Sequence, residues 1–297
     1  MDKHPHVLLT GGRGRVASAI RKELAGGGWG VDVCSRTVGE GLLDLENILT
    51  GSDSMGQDAI VHCAWSTVPA VAQEFPERTE SIDLPLMERL IQRLKADAEP
   101  PLLVFMSTGA VYGPAPGRAS LETDEPGPLG EYARGKLAAE ALLQASGLPH
   151  CILRVSNIYS LPSTKHDRQG VISRLVWTAI EGGTFQQWGE HSIKDYLHSS
   201  DFARALMSVI RHRLTGVVNV ASGEATELAD LIEMVKHAAL KPLTIEPRPG
   251  AAWDVTDNRL DITLLQSKTG WKPGITIEEG VRAEVARAMN LGQPQPE

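Results

Sequence analysis

The chain has 297 residues, of which 42% are hydrophobic and 22% charged, and its formal net charge is -8. That length fits one large domain or two intimate ones, with a composition ordinary for a soluble enzyme-sized protein. The acidic balance argues against nucleic acid or a polybasic membrane surface as a partner, yet leaves room for an anionic small ligand held by a local cluster of donors.

In chain order, His6-Val-Leu-Leu-Thr10 reads as a buried strand, and Gly11-Gly12-Arg13-Gly14 follows it at once. Val16, Ile20 and Leu24 then recur at helical spacing until Gly26-Gly27-Gly28. Val31–Cys34 is a second strand, Leu42–Leu45 a third and Asp58–Ala64 a fourth. A helix runs from about Ser81 to Lys95, and Leu102–Met106 is a fifth strand. Gly113 to Gly130 holds four prolines and four glycines and reads as a loop. Tyr132–Leu143 is a helix and Cys151–Val155 a sixth strand. Residues 157 to 200 read as irregular. Beyond them come a helix at Asp201–Arg211, a strand at Gly216–Val220, a helix at Leu228–Ala238, a loop-rich tail from Pro247 to Trp271 and a last helix at Ile277–Met289.

Strands alternating with helices predict right-handed βαβ units, hence an α/β, doubly wound parallel Rossmann sheet of about seven strands, with ligands beyond the carboxyl ends of the strands. The expected division is a dinucleotide-binding domain over 1–156 and 201–222, and a smaller C-terminal α/β lobe over 157–200 and 223–297. Cys34, Cys63 and Cys151 each sit in an apolar run without metal-ligand spacing, so reduced buried thiols and no metal are expected. The short polar stretch Met1–His6 lacks the apolar region of a signal peptide, and no run of about 18 apolar residues occurs, so a cytoplasmic protein is expected.

Strand, glycine turn and helix together form the setting of a dinucleotide site. Gly11, Gly12, Arg13, Gly14, Arg15 and Val16 would bring the backbone and the helix amides to a pyrophosphate. Where such folds read the adenosine ribose, the second strand ends in Cys34-Ser35-Arg36 rather than in an acid. Asp32 lies inside the strand, too close to the glycine turn for that role. Arg36 with Arg13 could clamp a 2′-phosphate, which favours NADP, with NAD as the alternative. Asp44 and Leu45 are candidates to border the adenine, and Cys63-Ala64-Trp65 would lie near the cofactor's middle.

Tyr132 and Lys136, four apart on a helix, would share a face, where an ammonium could stabilise a phenolate and lower the tyrosine pKa. Ser107 and Thr108 end the fifth strand at the same sheet edge as the glycine turn, so a hydroxyl there can bond a substrate oxygen beside Tyr132.

With these residues in place, the chain resembles the extended short-chain dehydrogenase/reductase superfamily, the nucleotide-sugar epimerase, dehydratase and reductase group. Thr10-Gly-Gly-Arg-Gly-Arg-Val-Ala17 resembles its TGGxGxxG, with Ala17 for the last glycine; Ser107-Thr-Gly-Ala-Val-Tyr-Gly113 its S-[ST]-x-x-V-Y-G; and Tyr132 and Lys136 its Tyr-x-x-x-Lys. Leu153-Arg-Val-Ser-Asn157, Lys194-Asp-Tyr-Leu-His198, Arg248-Pro-Gly250 and Trp271-Lys-Pro273 resemble later segments of the group. The resemblance implies Thr108, Tyr132 and Lys136 as catalytic residues. It also implies Ser107, Thr108, Asn157, Lys194 and Arg248 as contacts of a nucleotide-diphosphate sugar, and a homodimer built on the Ser81–Lys95 and Tyr132 helices. Gly109-Ala110 stands where dehydratases carry Asp-Glu, which disfavours a 4,6-dehydratase. NADPH-dependent reduction of a 4-keto sugar nucleotide is the expectation, and a 4-epimerase with tightly held cofactor the alternative. A catalytically silent dinucleotide-binding sensor is a third reading. His62 and His198 are expected to be structural, and Trp177 and Trp188 to pack the lobe.

Overall fold

The computed structural model describes residues 5–37, 39–51, 55–115, 117–161, 170–189 and 191–291. The first half runs β1 (His6–Thr10), α1 (Arg15–Gly26), β2 (Gly30–Ser35), β3 (Leu43–Asp44), α2 (Leu45–Thr50), β4 (Ala59–His62) and α3 (Pro69–Glu74). A π-helical turn (Thr79–Asp83) leads into α4 (Leu84–Lys95), followed by β5 (Leu102–Thr108), a 3-10 turn (Gly109–Tyr112), α5 (Glu131–Gln144) and β6 (His150–Val155). The second half runs β7 (Asn157–Tyr159), α6 (Val171–Glu181), β8 (Thr184–Trp188), β9 (Ile193–His198), α7 (Ser199–Arg211), β10 (Gly216–Val220) and β11 (Ala225–Glu227). It ends with α8 (Leu228–Ala239), β12 (Thr244–Arg248), β13 (Asp257–Asn258), α9 (Thr263–Thr269) and α10 (Ile277–Leu291).

Seven strands form one sheet in the order β10-β6-β5-β4-β1-β2-β3, every pairing parallel. Alternate side chains leave a strand on opposite faces. Val7, Leu9, Val61 and Val104 accordingly pack with Ile20 of α1 and Phe202 and Leu206 of α7. Leu8, Ile60 and Phe105 pack on the other face with Met87 and Leu90 of α4 and Leu143 of α5. Both faces are covered, which is why these strands read as continuous apolar runs. The strand order reverses between β1 and β4, opening a crevice at their carboxyl ends.

The doubly wound sheet agrees with the sequence; three local expectations do not. Residues 157–200 are largely regular, holding β7, α6, β8 and β9. The short strands β7, β11 and β13 flank β9, and β8 pairs in parallel with β12. β8 alternates exposed and buried residues around Phe185, and two positive-φ glycines, Gly170 and Gly182, bracket α6, so neither gives a continuous apolar signal. The third strand is only Leu43–Asp44, because Asp44 caps α2 by accepting from the Glu46 amide at 2.9 Å. The tail after Pro247 also contains β13 and α9.

The loop after the 3-10 turn is closed at its neck. Gly127 N–H donates to Val111 O at 2.9 Å, and a Cβ on Gly113 (φ +72) would fall 2.3 Å from Gly127 O. Inside it, Ala115 N–H bonds Asp257 O at 2.9 Å and Ser120 bridges to Leu260. Among the described residues, the exposed large apolar side chains include Phe75, Leu129 and Trp188 but none on α4 or α5. None of the described helices is long and apolar enough to cross a membrane.

α5 is seated by charge. The Glu140 carboxylate, 1% exposed, accepts from the Arg154 guanidinium at 2.7 Å and from the Ser107 hydroxyl. Arg154 also lies over the Tyr112 ring at 4.6 Å. Removing one partner of a buried pair strands the other charge, at about 3–5 kcal/mol. Arg154→Met should therefore lower the melting temperature steeply, and the double change Arg154→Met/Glu140→Met should recover most of the loss; calorimetry on the three proteins checks both.

Candidate active site

The glycine turn lies where the crevice opens. Gly11 has φ +72, and a Cβ there would fall 2.8 Å from the Cα and N of Ala64; one on Gly12 would fall 2.1 Å from Val33 Cγ1. Gly12 N–H donates to Cys34 O at 3.0 Å and Gly14 N–H to Gly11 O at 2.8 Å. α1 begins at Arg15 with Gly14 as its cap, with no capping side chain and no acid in the first turn. Its leading amides and positive dipole end are thus left for an anion, and these residues fit a dinucleotide pyrophosphate.

Beyond β2, Arg36 is exposed and has no ion pair among the described residues, and an Arg13 nitrogen lies 3.3 Å from the Cβ position of Gly39. Arg36 thus follows β2 directly, with its charge felt at Asp83, and the Arg13 guanidinium reaches the Gly39 turn just beyond. Ser35 pairs in register with Asp44. Asp32 bonds Gln57 at 3.0 Å and contacts His6 at 3.1 Å, well occupied elsewhere. The Leu45 side chain is 2% exposed and belongs to the core, so only its backbone could face a ligand. Ala64 N–H bonds Thr10 Oγ1 at 3.2 Å, which holds the Cys63–Trp65 segment against the glycine turn.

Tyr132 and Thr108 line one cavity of about 110 Å³ together with Asn157 and Lys194. Thr108 Oγ1 accepts from Ala110 N–H at 3.2 Å, which leaves its proton to donate. Lys136 is 3% exposed; its Nζ donates to Met106 O at 2.7 Å and lies 3.9 Å from the Trp65 ring centroid and 5.7 Å from that of Tyr132. Burial pushes its pKa down to about 7, against the pull of Asp83. The phenol of Tyr132 is pushed up to about 12 by burial and by the Asp83 charge. Burial and the Asp83 charge both favour the neutral phenol, opposite in sign to the lowering expected from its lysine. Asp83, which the sequence did not mark, is 1% exposed and holds the Ser66 amide at 2.7 Å and hydroxyl at 2.8 Å.

A second, larger cavity of about 380 Å³ is bordered by Arg15, Arg174, Trp188, Tyr196 and Glu284; it shares Pro69, Asn157, Lys194 and Asp254 with the first. The structure thus brings Thr108, Tyr132, Asn157 and Lys194 together. It does not bring in Ser107, whose hydroxyl is taken by Glu140, or Arg248, which is 40% exposed, pairs with Glu246 at 2.9 Å and borders neither cavity. Asn157 donates to Asp195 O at 2.9 Å, and Lys194 pairs with Asp254 at 2.8 Å. His62 is a core residue bonded to Thr10 at 2.9 Å, and His198 caps α7 through the Ser200 amide at 3.2 Å. Trp177 is buried with the α6 core, whereas Trp188 is 48% exposed on the larger cavity.

Residues 7–221 match the NAD dependent epimerase/dehydratase family. A dTDP-6-deoxy-L-talose 4-dehydrogenase (NAD(P)(+)) of Kitasatospora kifunensis is 30% identical over 218 residues, 69% of each chain. A GDP-6-deoxy-D-mannose reductase of Pseudomonas aeruginosa is 29% identical over 250 residues, 78% of this chain and 82% of that one. The crystal structure of the Thermus thermophilus UDP-glucose 4-epimerase in complex with NAD is similar with a TM-score of 0.85 at 27% identity, over 96% of this chain and 99% of that one. Fold, glycine turn and most of the sequence agree, and the chain belongs to the NAD dependent epimerase/dehydratase family, as an NAD(P)-dependent nucleotide-sugar enzyme.

Proposed function

We propose that the protein is an NADPH-dependent reductase of a nucleotide-linked 4-keto sugar. The observation that carries this reading is the pair of arginines, exposed Arg36 directly after β2 and Arg13 reaching the Gly39 turn, with no acid at residue 35 or 36. Two planar cations there suit a 2′-phosphate, and a soluble NADPH pool suits one-way reduction. The bound cofactor supplies the hydride. Tyr132 gives its proton to the new alkoxide, Thr108 donates to the same oxygen, and Lys136 holds a ribose hydroxyl with the donor left over from Met106 O and the Trp65 face. A phenol that keeps its proton at neutral pH is already in the form that reduction needs. A 4-epimerase with retained cofactor is the second reading, favoured by the near-complete likeness to an epimerase fold.

Offered a panel of 4-keto sugar nucleotides, the purified protein should consume NADPH on at least one; no turnover, with a UDP- or GDP-hexose epimerised instead, rejects the reading. Tyr132→Phe should lower kcat by roughly 10²–10⁴-fold with little change in NADPH affinity, in steady-state and binding assays. Arg36→Glu should cut kcat/KM for NADPH at least about tenfold while sparing NADH, compared side by side, as expected for loss of charge-assisted bonds. The pH dependence follows from Lys136, whose lowered pKa leaves it charged below about 7 and neutral above. NADPH affinity should therefore fall as pH rises through that value. Fluorescence titration should find the same fall in Tyr132→Phe and a uniformly weak, pH-independent affinity in Lys136→Met.

A further inference from the structure

The larger cavity holds a positive charge that no described residue cancels. Lys194, at its inner end, is bonded to both oxygens of Asp254, at 2.8 and 3.1 Å. Glu284, on another wall, takes the Arg287 guanidinium at 2.7 Å and the Ser160 hydroxyl at 2.6 Å. Arg174, in the second turn of α6, is different. Its guanidinium lies 5.5 Å from the Phe185 ring centroid and makes no hydrogen bond or ion pair with any described residue. Burial lowers its pKa, with no carboxylate among the described residues to oppose the shift. A guanidinium does not give up its proton, so a half-buried one without an anion is held at a disadvantage that a ligand can relieve.

Its place in the cavity says which part of a ligand it would meet. Arg174 borders the larger cavity and not the smaller, whereas Tyr132 and Thr108 border the smaller and not the larger. Asn157, Lys194 and Asp254 border both, and so stand at the junction. An anion at Arg174 is therefore set away from the reacting carbon, beyond the junction, where a group linking sugar to nucleoside would run. A carboxylate on the sugar itself would sit on the Tyr132 side. The planar fork of an arginine also matches two phosphate oxygens at once.

We propose that Arg174, rather than Arg248, is the primary cation for the diphosphate of the nucleotide sugar, and that Asp254 competes with that diphosphate for Lys194. This rests on the nucleotide-sugar reading given above. The Lys194–Asp254 pair is partly exposed, with side chains 19% and 38% accessible, and such pairs exchange at small cost. Lys194 thus becomes a contact of the ligand only when Asp254 lets go, while Arg174 is available from the start.

Calorimetric titration of the purified full chain with UDP, GDP, dTDP, the matching monophosphates and inorganic pyrophosphate, with and without NADPH, tests this. For whichever nucleoside diphosphate binds the wild type, Arg174→Met should raise Kd about 10–100-fold and Arg174→Lys should recover part of it, since the charge stays and the fork is lost. Asp254→Asn should lower Kd several-fold, and Arg248→Met should leave it within about twofold. Melting curves identify any variant that has lost its fold, and the lysine variant then carries the comparison. Arg174 variants that bind like the wild type, or a loss that follows Arg248→Met instead, overturn the proposal and leave the nucleotide-sugar reading standing. A wild type that binds no nucleoside diphosphate rejects both.

Discussion

The carboxylate of Glu140, shared between Arg154 and the Ser107 hydroxyl, sets the height of α5 above β5 and β6. Lys136 lies one turn before Glu140 and Tyr132 one turn before that, so a single buried contact fixes the register of both. Apart from Leu143 near its end, the buried apolar side of this helix is built from small residues: Ala133, Gly135 and Ala139. They let it lie close; a Cβ on Gly135 would fall 2.6 Å from Thr79 Cγ2. The small residue at 135 lets α5 lie close against the turn before α4, and the ion pair ties the helix to β6.

The chemistry of that face is set by desolvation more than by the neighbouring side chain. Four-residue spacing puts Tyr132 beside Lys136, yet burial moves phenol and ammonium in opposite directions, each toward its neutral form. Asp83 favours the charged lysine and the protonated tyrosine at once. It is itself held in place by Ser66, next to the Trp65 that covers Lys136. The segment after β4 and the turn before α4 therefore act together on Tyr132 and Lys136.

The doubly wound half was legible because its physics is local. Strands covered on both faces must be continuous apolar runs, and a backbone turn that nearly touches Ala64 must be glycine. Thr108, Tyr132 and Lys136 were legible for the same reason, since sheet edge and helix spacing follow from the chain itself. The second half was not. β8 and β7 are short and half exposed, and α6, with its arginine, falls in the stretch that reads as irregular. Charge pairing was invisible too: Lys194 meets Asp254 across 60 residues, and Ser107 turns away to Glu140 across 33. A motif shows which residues are present, but only the fold shows which of them are already engaged.

The closed neck of the loop between the 3-10 turn and α5 has a consequence for how such an enzyme can diversify. Gly113 and Gly127 are pressed together, and Gly127 is tied back to Val111, so both ends leave from one fixed point. Whatever lies between them is mechanically isolated from the start of α5. Its outer contacts go to Asn219 of β10 and to the segment holding Asp257 and Leu260, on the far wall of the smaller cavity. The loop can thus reshape the cavity from one side only through residues outside its anchors, since Ser120 and Glu122 are held by Asn219 of β10 at 2.9 and 3.0 Å, while Tyr132 stays where the sheet put it.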